Sequence, residues 1–191
     1  MMLSTNQSVS NNDESTDFRK RAIELGGWFA GFVFLFFVIP GILIVALPPS
    51  QKAKGLTTLV ATPAIEYLAI SVGIGLGVDP VVSFFLTFLP CTGLCMLSMG
   101  LLGFLRDSSP RIIRFLDKVQ KRIERHPKLK NYGIVSNFLF VMFLGVYIAP
   151  GIAIILGWSR ARSVIFMVGG IALITALIGL GTLGIIDLLF L

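Results

Sequence analysis

Charged residues are scarce in this chain, and the side chains that build metal sites are scarcer still. Asp, Glu, Lys and Arg make up 14% of its 191 residues, whereas soluble domains carry about 25%. The sequence contains one histidine, His126, and two cysteines, Cys91 and Cys95, in an apolar run. A zinc-type cluster cannot be assembled from so few ligands. We expect no metal ion and no cofactor, and we interpret both cysteines as packing residues, with a redox role as the alternative.

Arrangements typical of catalysis are missing as well. The sequence shows no nucleophile–base arrangement, no phosphate-cradling loop and no paired carboxylates. Gly73, Gly75 and Gly77 alternate, but they lack the preceding strand and the polar fold of a dinucleotide site. We therefore expect that the protein is not an enzyme.

Long apolar runs dominate what is present. A helix needs about 20 apolar residues to cross a hydrocarbon core of about 30 Å. Apolar residues make up 55% of the chain, and the runs that qualify or come close are 25–47, 56–78, 80–105, 134–158 and 163–191. The sequence thus predicts an all-α, multi-pass protein of the cell membrane.

The polar parts of the chain are predicted to lie outside the lipid. Residues 1–18 read as a disordered cytosolic tail, and 19–191 as a single transmembrane domain. The connection at 106–133 carries nine of the 16 Lys and Arg, with apolar positions along one helical face. This pattern is typical of a basic amphipathic helix on a membrane surface, and a solvated helix packed on the bundle is the alternative. Its nearest anionic partners would be lipid headgroups, so we expect no nucleic acid partner.

The positions of Lys and Arg favour one of two topologies, because cytoplasmic loops collect positive charge. If all five segments span, eleven of these residues lie inside and five outside. If the second and fourth segments enter and leave on the same side, fourteen lie inside, and only Lys52 and Lys54 lie outside. The second arrangement predicts three full transmembrane helices and two opposed re-entrant hairpins. It places the N-terminus and 106–133 in the cytoplasm and the C-terminus outside the cell.

Helix-breaking residues stand where those hairpins would turn. Pro150 and Gly151 interrupt the fourth segment and Pro63 interrupts the second, and such residues break helices and turn the chain. Broken backbone at membrane depth persists only where protein or a watery cavity satisfies its polar groups. One hairpin would enter from each face, and a long span follows each. This outline is an inverted repeat, a frequent plan of secondary transporters.

Short motifs in two stretches resemble those of a known family. The stretch 66–80 carries Gly73-Ile74, Leu76-Gly77 and Pro80. The stretch 130–175 carries a larger set: Tyr132-Gly133, Phe138-Leu139-Phe140-Val141, Pro150-Gly151, Leu156-Gly157, Arg160, Arg162 and Gly170. In pattern and spacing these residues, over about half of the chain, resemble the small multidrug export protein family, a branch related to the DedA/VTT membrane superfamily.

The resemblance implies paired re-entrant hairpins and a transporter-like role. It suggests export of small amphipathic molecules, or handling of membrane phospholipid or polyprenyl phosphate as in relatives. Family members usually carry a Glu-Leu-Arg-like triplet before the first glycine, whereas this chain has Ile65-Glu66-Tyr67. The acid is displaced by one position and the arginine is missing.

Glu66 is the one acidic residue well inside an apolar segment. An ionised carboxylate is costly there, so we expect it to be paired, protonated or facing a cavity. It is the candidate for proton exchange. The alternative is a neutral carboxyl group that is hydrogen-bonded to the broken backbone of its own hairpin.

Four further residues are candidates for substrate binding. Arg160 and Arg162 precede the last span and could hold a phosphate near a helix N-terminus, or simply anchor the chain. Asn137 could line a cavity or bond a neighbouring helix. Tyr147, close to Pro150, could line a path or merely pack.

These patterns favour a small secondary transporter or lipid translocator with proton coupling through Glu66. It would move an amphipathic small molecule or a lipid phosphate, and its partners would be that substrate and membrane lipids. A chain of 191 residues has few residues with which to enclose such a site, so we expect a homodimer. The alternative is a membrane scaffold or lipid-organising protein that transports nothing.

Overall fold

The regular structure of the described residues is helical throughout. The structure, a computed structural model, describes residues 5–108, 114 and 127–190. Five of its helices are long and apolar enough to cross a membrane: Arg19–Ala46, Pro49–Gly75, Pro80–Arg106, Ser136–Ile155 and Arg160–Ile185. The prediction of an all-α protein with several membrane segments is confirmed. Most of the predicted amphipathic connection at 106–133 lies outside the described residues and stays a prediction.

The first span contains a widened turn ahead of a proline. It comprises the later part of α1 (Thr5–Val33), a π-helical turn (Phe34–Val38) and α2 (Ile39–Ala46). Pro40 lacks an amide hydrogen, and its ring would clash with the carbonyl one turn earlier in a regular helix. A π-helical turn just before it relieves that clash. Because α1 already begins at Thr5, it includes residues predicted as a tail, and the domain boundary after residue 18 stays a prediction.

The second apolar segment folds back on itself. It contains α3 (Pro49–Ile65), a 3₁₀ turn (Glu66–Leu68) and the short α4 (Ala69–Gly75). A Cβ atom placed on Gly77 would lie 3.8 Å from Nζ of Lys54. A straight helix would separate these two residues by about 35 Å. Residues beyond α4 therefore lie beside the beginning of α3.

Gly73 allows α4 to approach its neighbours closely. A Cβ atom at this position would lie 2.6 Å from Oγ of Ser83 and 3.0 Å from Oγ1 of Thr58. Both hydroxyl-bearing residues are buried. The close approach of α4 to α3 and to the following helix thus depends on a residue without a side chain.

The third segment, α5 (Pro80–Ser108), is the central helix of the fold. Its first turn is capped by Asp79, whose Oδ1 accepts hydrogen bonds from the amides of Val81 at 2.9 Å and Val82 at 3.1 Å. Pro80 suits the first helical position, where its missing amide hydrogen costs nothing. α5 packs against α1, α3, α4 and the two helices that follow it.

The fourth segment also changes direction. α6 (Pro127–Ile155) contains non-helical backbone at Gly145, with φ 84° and ψ 173°. The ring of Phe140 stacks on that of Trp158 with centroids 6.4 Å apart. A straight helix would place these residues about 27 Å apart. The last helix, α7 (Arg160–Phe190), follows after a short turn.

The breaks lie near the predicted prolines but not on them. In the second segment the backbone leaves helical geometry at Ile65 and Glu66, two and three residues after Pro63. In the fourth it does so at Gly145, whereas Pro150 and Gly151 are in helical backbone. Pro150 lies inside the helical turns after the break, where it cannot donate a hydrogen bond to the carbonyl of Val146 four residues earlier. The reversal requires a positive φ, which glycine adopts at little cost.

The two broken segments end in the same way. The amide of Gly77 donates to Ile74 O at 2.9 Å and that of Val78 to Gly73 O at 3.0 Å. After α6, Gly157 donates to Ile154 O at 3.1 Å and Trp158 to Ala153 O at 3.0 Å. Both glycines have positive φ, 81° and 70°. Both helices therefore end in the same glycine-terminated motif. Gly77 and Gly157 are 80 residues apart, and Glu66 and Val146 are separated by the same interval.

The core lies where α5, α6 and α7 meet next to the first break. Its fully buried members include Cys91, Cys95, Met99, Met167 and Ile171. Sγ of Cys95 lies 3.5 Å from Sδ of Met167. Both cysteines have free thiols and are enclosed by apolar side chains, as packing residues are.

Candidate functional site

Glu66 occupies a strained position at the end of α3. Its backbone has φ 49° and ψ −119°, and it is the only non-glycine residue with positive φ in the described parts of the chain. A β-carbon is crowded in this conformation, at a cost of about 1–3 kcal/mol. Such strain persists only where surrounding contacts enforce it. The backbone at Glu66 is therefore held by its neighbours.

The neighbour that meets the Glu66 side chain is the break in the other half. The amide of Val146 donates a hydrogen bond to Oε2 of Glu66 at 3.2 Å. A Cβ atom on Gly145 would lie 2.5 Å from Oε2 and 2.6 Å from Oε1, so only glycine leaves room for the carboxyl group. The carboxyl group lies at the N-terminal end of the helical turns after Gly145, where the helix dipole favours negative charge. The two helix breaks thus meet at one acidic side chain.

Two tyrosines connect the same breaks in opposite directions. Tyr67, beside Glu66, donates a hydrogen bond from its hydroxyl group to the carbonyl of Val141. Tyr147, just after Gly145, donates to the carbonyl of Pro63 at 2.8 Å. Each accepting carbonyl lies in the last turn before a break, where helical partners are missing. Each half therefore satisfies a backbone group that the break in the other half has exposed.

An open depression lies over this meeting point. It has a volume of about 340 Å³. Its walls come from the residues around both breaks: Ala64, Ile65, Glu66, Tyr67, Leu68, Met142, Phe143, Leu144 and Gly145. Its accessible surface is polar and apolar in similar measure, because apolar side chains lie beside the Glu66 carboxyl group and other polar atoms. Such a surface suits an amphipathic ligand better than a strongly hydrated one.

Asn137 is buried elsewhere in α6. Its side chain has no exposed area, and neither amide atom has a hydrogen-bond partner among the described residues. The hydroxyls of Ser83 and Ser163 are likewise buried and have no hydrogen-bond partner within the described structure. These two serines are 80 residues apart, as are Glu66 and Val146. An unpaired amide in an apolar interior costs free energy. Asn137 does not line the depression.

The two predicted arginines lie at a different place. Nη1 of Arg160 lies 2.7 Å from Oε1 of Glu24 in α1, and its Nη2 lies 3.4 Å from the carbonyl of Gly103. Arg162 is exposed on the first turn of α7. Neither arginine lines the depression at Glu66. In this structure Arg160 connects α7 to α1 and α5.

The structure therefore brings together only part of the predicted site. Glu66, Tyr147 and Pro63 meet, whereas the arginines and Asn137 lie apart from them. Sequence reasoning missed Gly145 and Tyr67. Both had a signal: Gly145 is a lone glycine in an apolar run, and Tyr67 precedes Tyr147 by the interval that also relates Gly77 to Gly157.

These features define a multi-pass membrane protein with two broken helices that meet through their breaks. Residues 67–177 match the family described as "Putative small multi-drug export protein". That match covers more than half of the chain, and the chain belongs to this family. The family's name points to export, and so to a transporter rather than an enzyme. No curated protein and no solved structure matches the chain.

Proposed function

We propose that the protein is a small secondary transporter or lipid translocator whose site lies at Glu66 and Gly145. The observation that carries this proposal is the meeting of two helix breaks at one carboxyl group. Broken helices at membrane depth are a common way to build transporter sites, because they expose backbone groups to a ligand. Membership in a family named for export agrees with this proposal.

In this proposal the two broken segments are re-entrant hairpins. α4 has seven residues, about 10 Å, too short to cross a core of about 30 Å. The proximity of Lys54 to Gly77 supports a return to the side of entry. The positive-inside count then assigns the N-terminus to the cytoplasm and the C-terminus to the outside.

The two halves would form an inverted repeat. An interval of 80 residues relates the helix ends at Gly77 and Gly157, and also the bridging tyrosines. The same interval relates the buried serines Ser83 and Ser163. A repeat of this kind with paired hairpins would also account for a relationship to the DedA/VTT superfamily.

Glu66 would exchange a proton during the transport cycle. A carboxyl group that joins the two hairpins through one amide can lose that bond when protonation or substrate changes its charge. The substrate would be an amphipathic small molecule or a lipid phosphate that enters the depression lined by Glu66 and Tyr67. Tyr147 does not line this depression and would act through its hydrogen bond to Pro63. Arg160 and Arg162 would attract an anionic group on the cytoplasmic side, and a homodimer would complete the walls.

Flux measurements test this proposal. Purified protein is reconstituted into liposomes, and release of ethidium and movement of a fluorescent phosphatidylglycerol are followed with and without a proton gradient. We expect flux of at least one probe to rise with the gradient, and Glu66→Gln to remove that rise. Asp79→Asn is the control, since Asp79 is an acid outside the depression and asparagine can also cap α5. Equal gradient-driven flux for wild type and Glu66→Gln would disprove coupling through Glu66, and no flux of either probe would favour a scaffold.

A further inference from the structure

A second, larger depression lies between α4, α5 and α7, and Glu66 is not part of it. This groove has a volume of about 500 Å³. Side chains that line it include Ile70 and Ile74 of α4, Val81 and Phe85 of α5, and Leu180 of α7. Its walls are almost entirely apolar. All three helices belong to candidate membrane spans, so hydrocarbon is the surrounding solvent.

The shape of the groove follows from the short α4 and from a glycine in α7. A Cβ atom on Gly179 would lie 2.6 Å from Cδ1 of Ile70. The lack of a side chain at Gly179 therefore allows α4 to pack closely against α7 at this point. Because α4 ends at Gly75, no further turn of it covers the space between Val81 and Leu180. What remains is a groove that a linear hydrocarbon chain can occupy.

A positive charge lies next to the loop that joins α4 to α5, two of the helices that form the groove. Lys54 extends to Gly77, with Nζ 3.8 Å from the position of a Cβ atom there. Gly77 lies between Ile74 and Pro80, two residues that line the groove. Lys52 and Lys54 are both exposed, and neither forms an ion pair with a described residue. The only acid among the residues that connect α4 to α5 is Asp79, whose Oδ1 already accepts two amide hydrogens of α5.

We propose that this groove binds one acyl chain of an anionic phospholipid, with the phosphate of its headgroup held by Lys54. The apolar walls match the chain, and the lysine at the membrane-surface end matches a negative headgroup. A second copy of this chain is the alternative occupant. The site is separate from Glu66, so it stands whether or not the protein transports anything.

Lipid retention by the purified full-length protein tests the site. The protein is exchanged into detergent with equal amounts of phosphatidylglycerol and phosphatidylcholine that have identical chains, and bound lipid is measured by native mass spectrometry. We expect the protein to retain about fivefold more phosphatidylglycerol than phosphatidylcholine, which is the preference that one lysine near the headgroup provides. Lys54→Ala should abolish this preference, whereas Lys20→Ala, a lysine outside the groove, should keep it. Equal retention of both lipids by the wild type, or an unchanged preference in Lys54→Ala, overturns the proposal.

A matched pair of variants in α7 tests whether an acyl chain occupies the groove. Leu180→Trp fills the groove, and Leu177→Trp changes another exposed leucine of α7 that does not line it. We expect loss of bound phosphatidylglycerol in the first and wild-type retention in the second. Glycerol phosphate, which has the headgroup without the chains, should not compete. If Leu180→Trp still retains phosphatidylglycerol, the occupant is not an acyl chain. The same conclusion follows if the wild type is a dimer with and without lipid and Leu180→Trp makes it a monomer.

Discussion

The amide of Val146 donates a hydrogen bond of 3.2 Å to Oε2 of Glu66 across 80 residues of sequence. This bond joins the strained end of α3 to the first amide after the break at Gly145. The two breaks consequently stabilise each other, since each supplies a partner that the other lacks. Changing either side should therefore affect both halves of the protein.

Glu66→Gln and Glu66→Ala should differ in stability. The amide oxygen of glutamine can still accept the bond from Val146, so the first variant should unfold within about 1 kcal/mol of the wild type. Alanine leaves that amide without its acceptor and should cost about 1–3 kcal/mol. Thermal unfolding in one detergent measures the difference. Equal losses in the two variants would show that the hydrogen bond contributes nothing.

Gly145→Ala should be among the most destabilising single changes. The new methyl group would lie 2.5 Å from Oε2 of Glu66, and φ 84° strains any L-residue. We expect a loss of at least about 2 kcal/mol. Gly181→Ala is the control, because a Cβ atom there contacts nothing and helix propensity favours alanine.

A double variant separates the two causes. In Glu66→Ala/Gly145→Ala the carboxyl group that crowds the methyl group is gone, and only the strain at φ 84° remains. The combined loss should therefore be smaller than the sum of the single losses by at least about 0.5 kcal/mol. Additive losses would show that the clash with Glu66 is absent.

The sequence predicts the spans and the vicinity of the breaks, because apolar length and proline are local properties. It does not predict which residue reverses the chain. That choice depends on contacts between Glu66 and Gly145, which are distant in sequence. The same limit explains Arg160: its charge suggested a ligand, but its partner Glu24 lies in α1 and no spacing rule connects them.

Removing each bridging hydroxyl tests the exchange of bonds between the halves. Tyr67→Phe leaves the buried carbonyl of Val141 without its partner and should cost about 1–2 kcal/mol. Tyr147→Phe should cost less, about 0.5 kcal/mol, because Tyr147 is 42% exposed. Thermal unfolding of both variants and of the double variant measures this order. A larger loss at Tyr147 than at Tyr67 would show that burial does not decide how much each hydroxyl contributes to stability.

Water access at the Glu66 depression is the property that transport requires and a lipid-filled surface lacks. Leu68, in the wall of the depression, and Phe37, in the first span, are both 56% exposed and therefore form a matched pair. Each is replaced by cysteine and treated with a charged thiol reagent, which reacts only where water reaches. The native cysteines, Cys91 and Cys95, have no exposed area and should add no background. We expect Leu68→Cys to react and Phe37→Cys to stay protected. If the two react equally slowly, lipid fills the depression and an aqueous route to Glu66 is excluded.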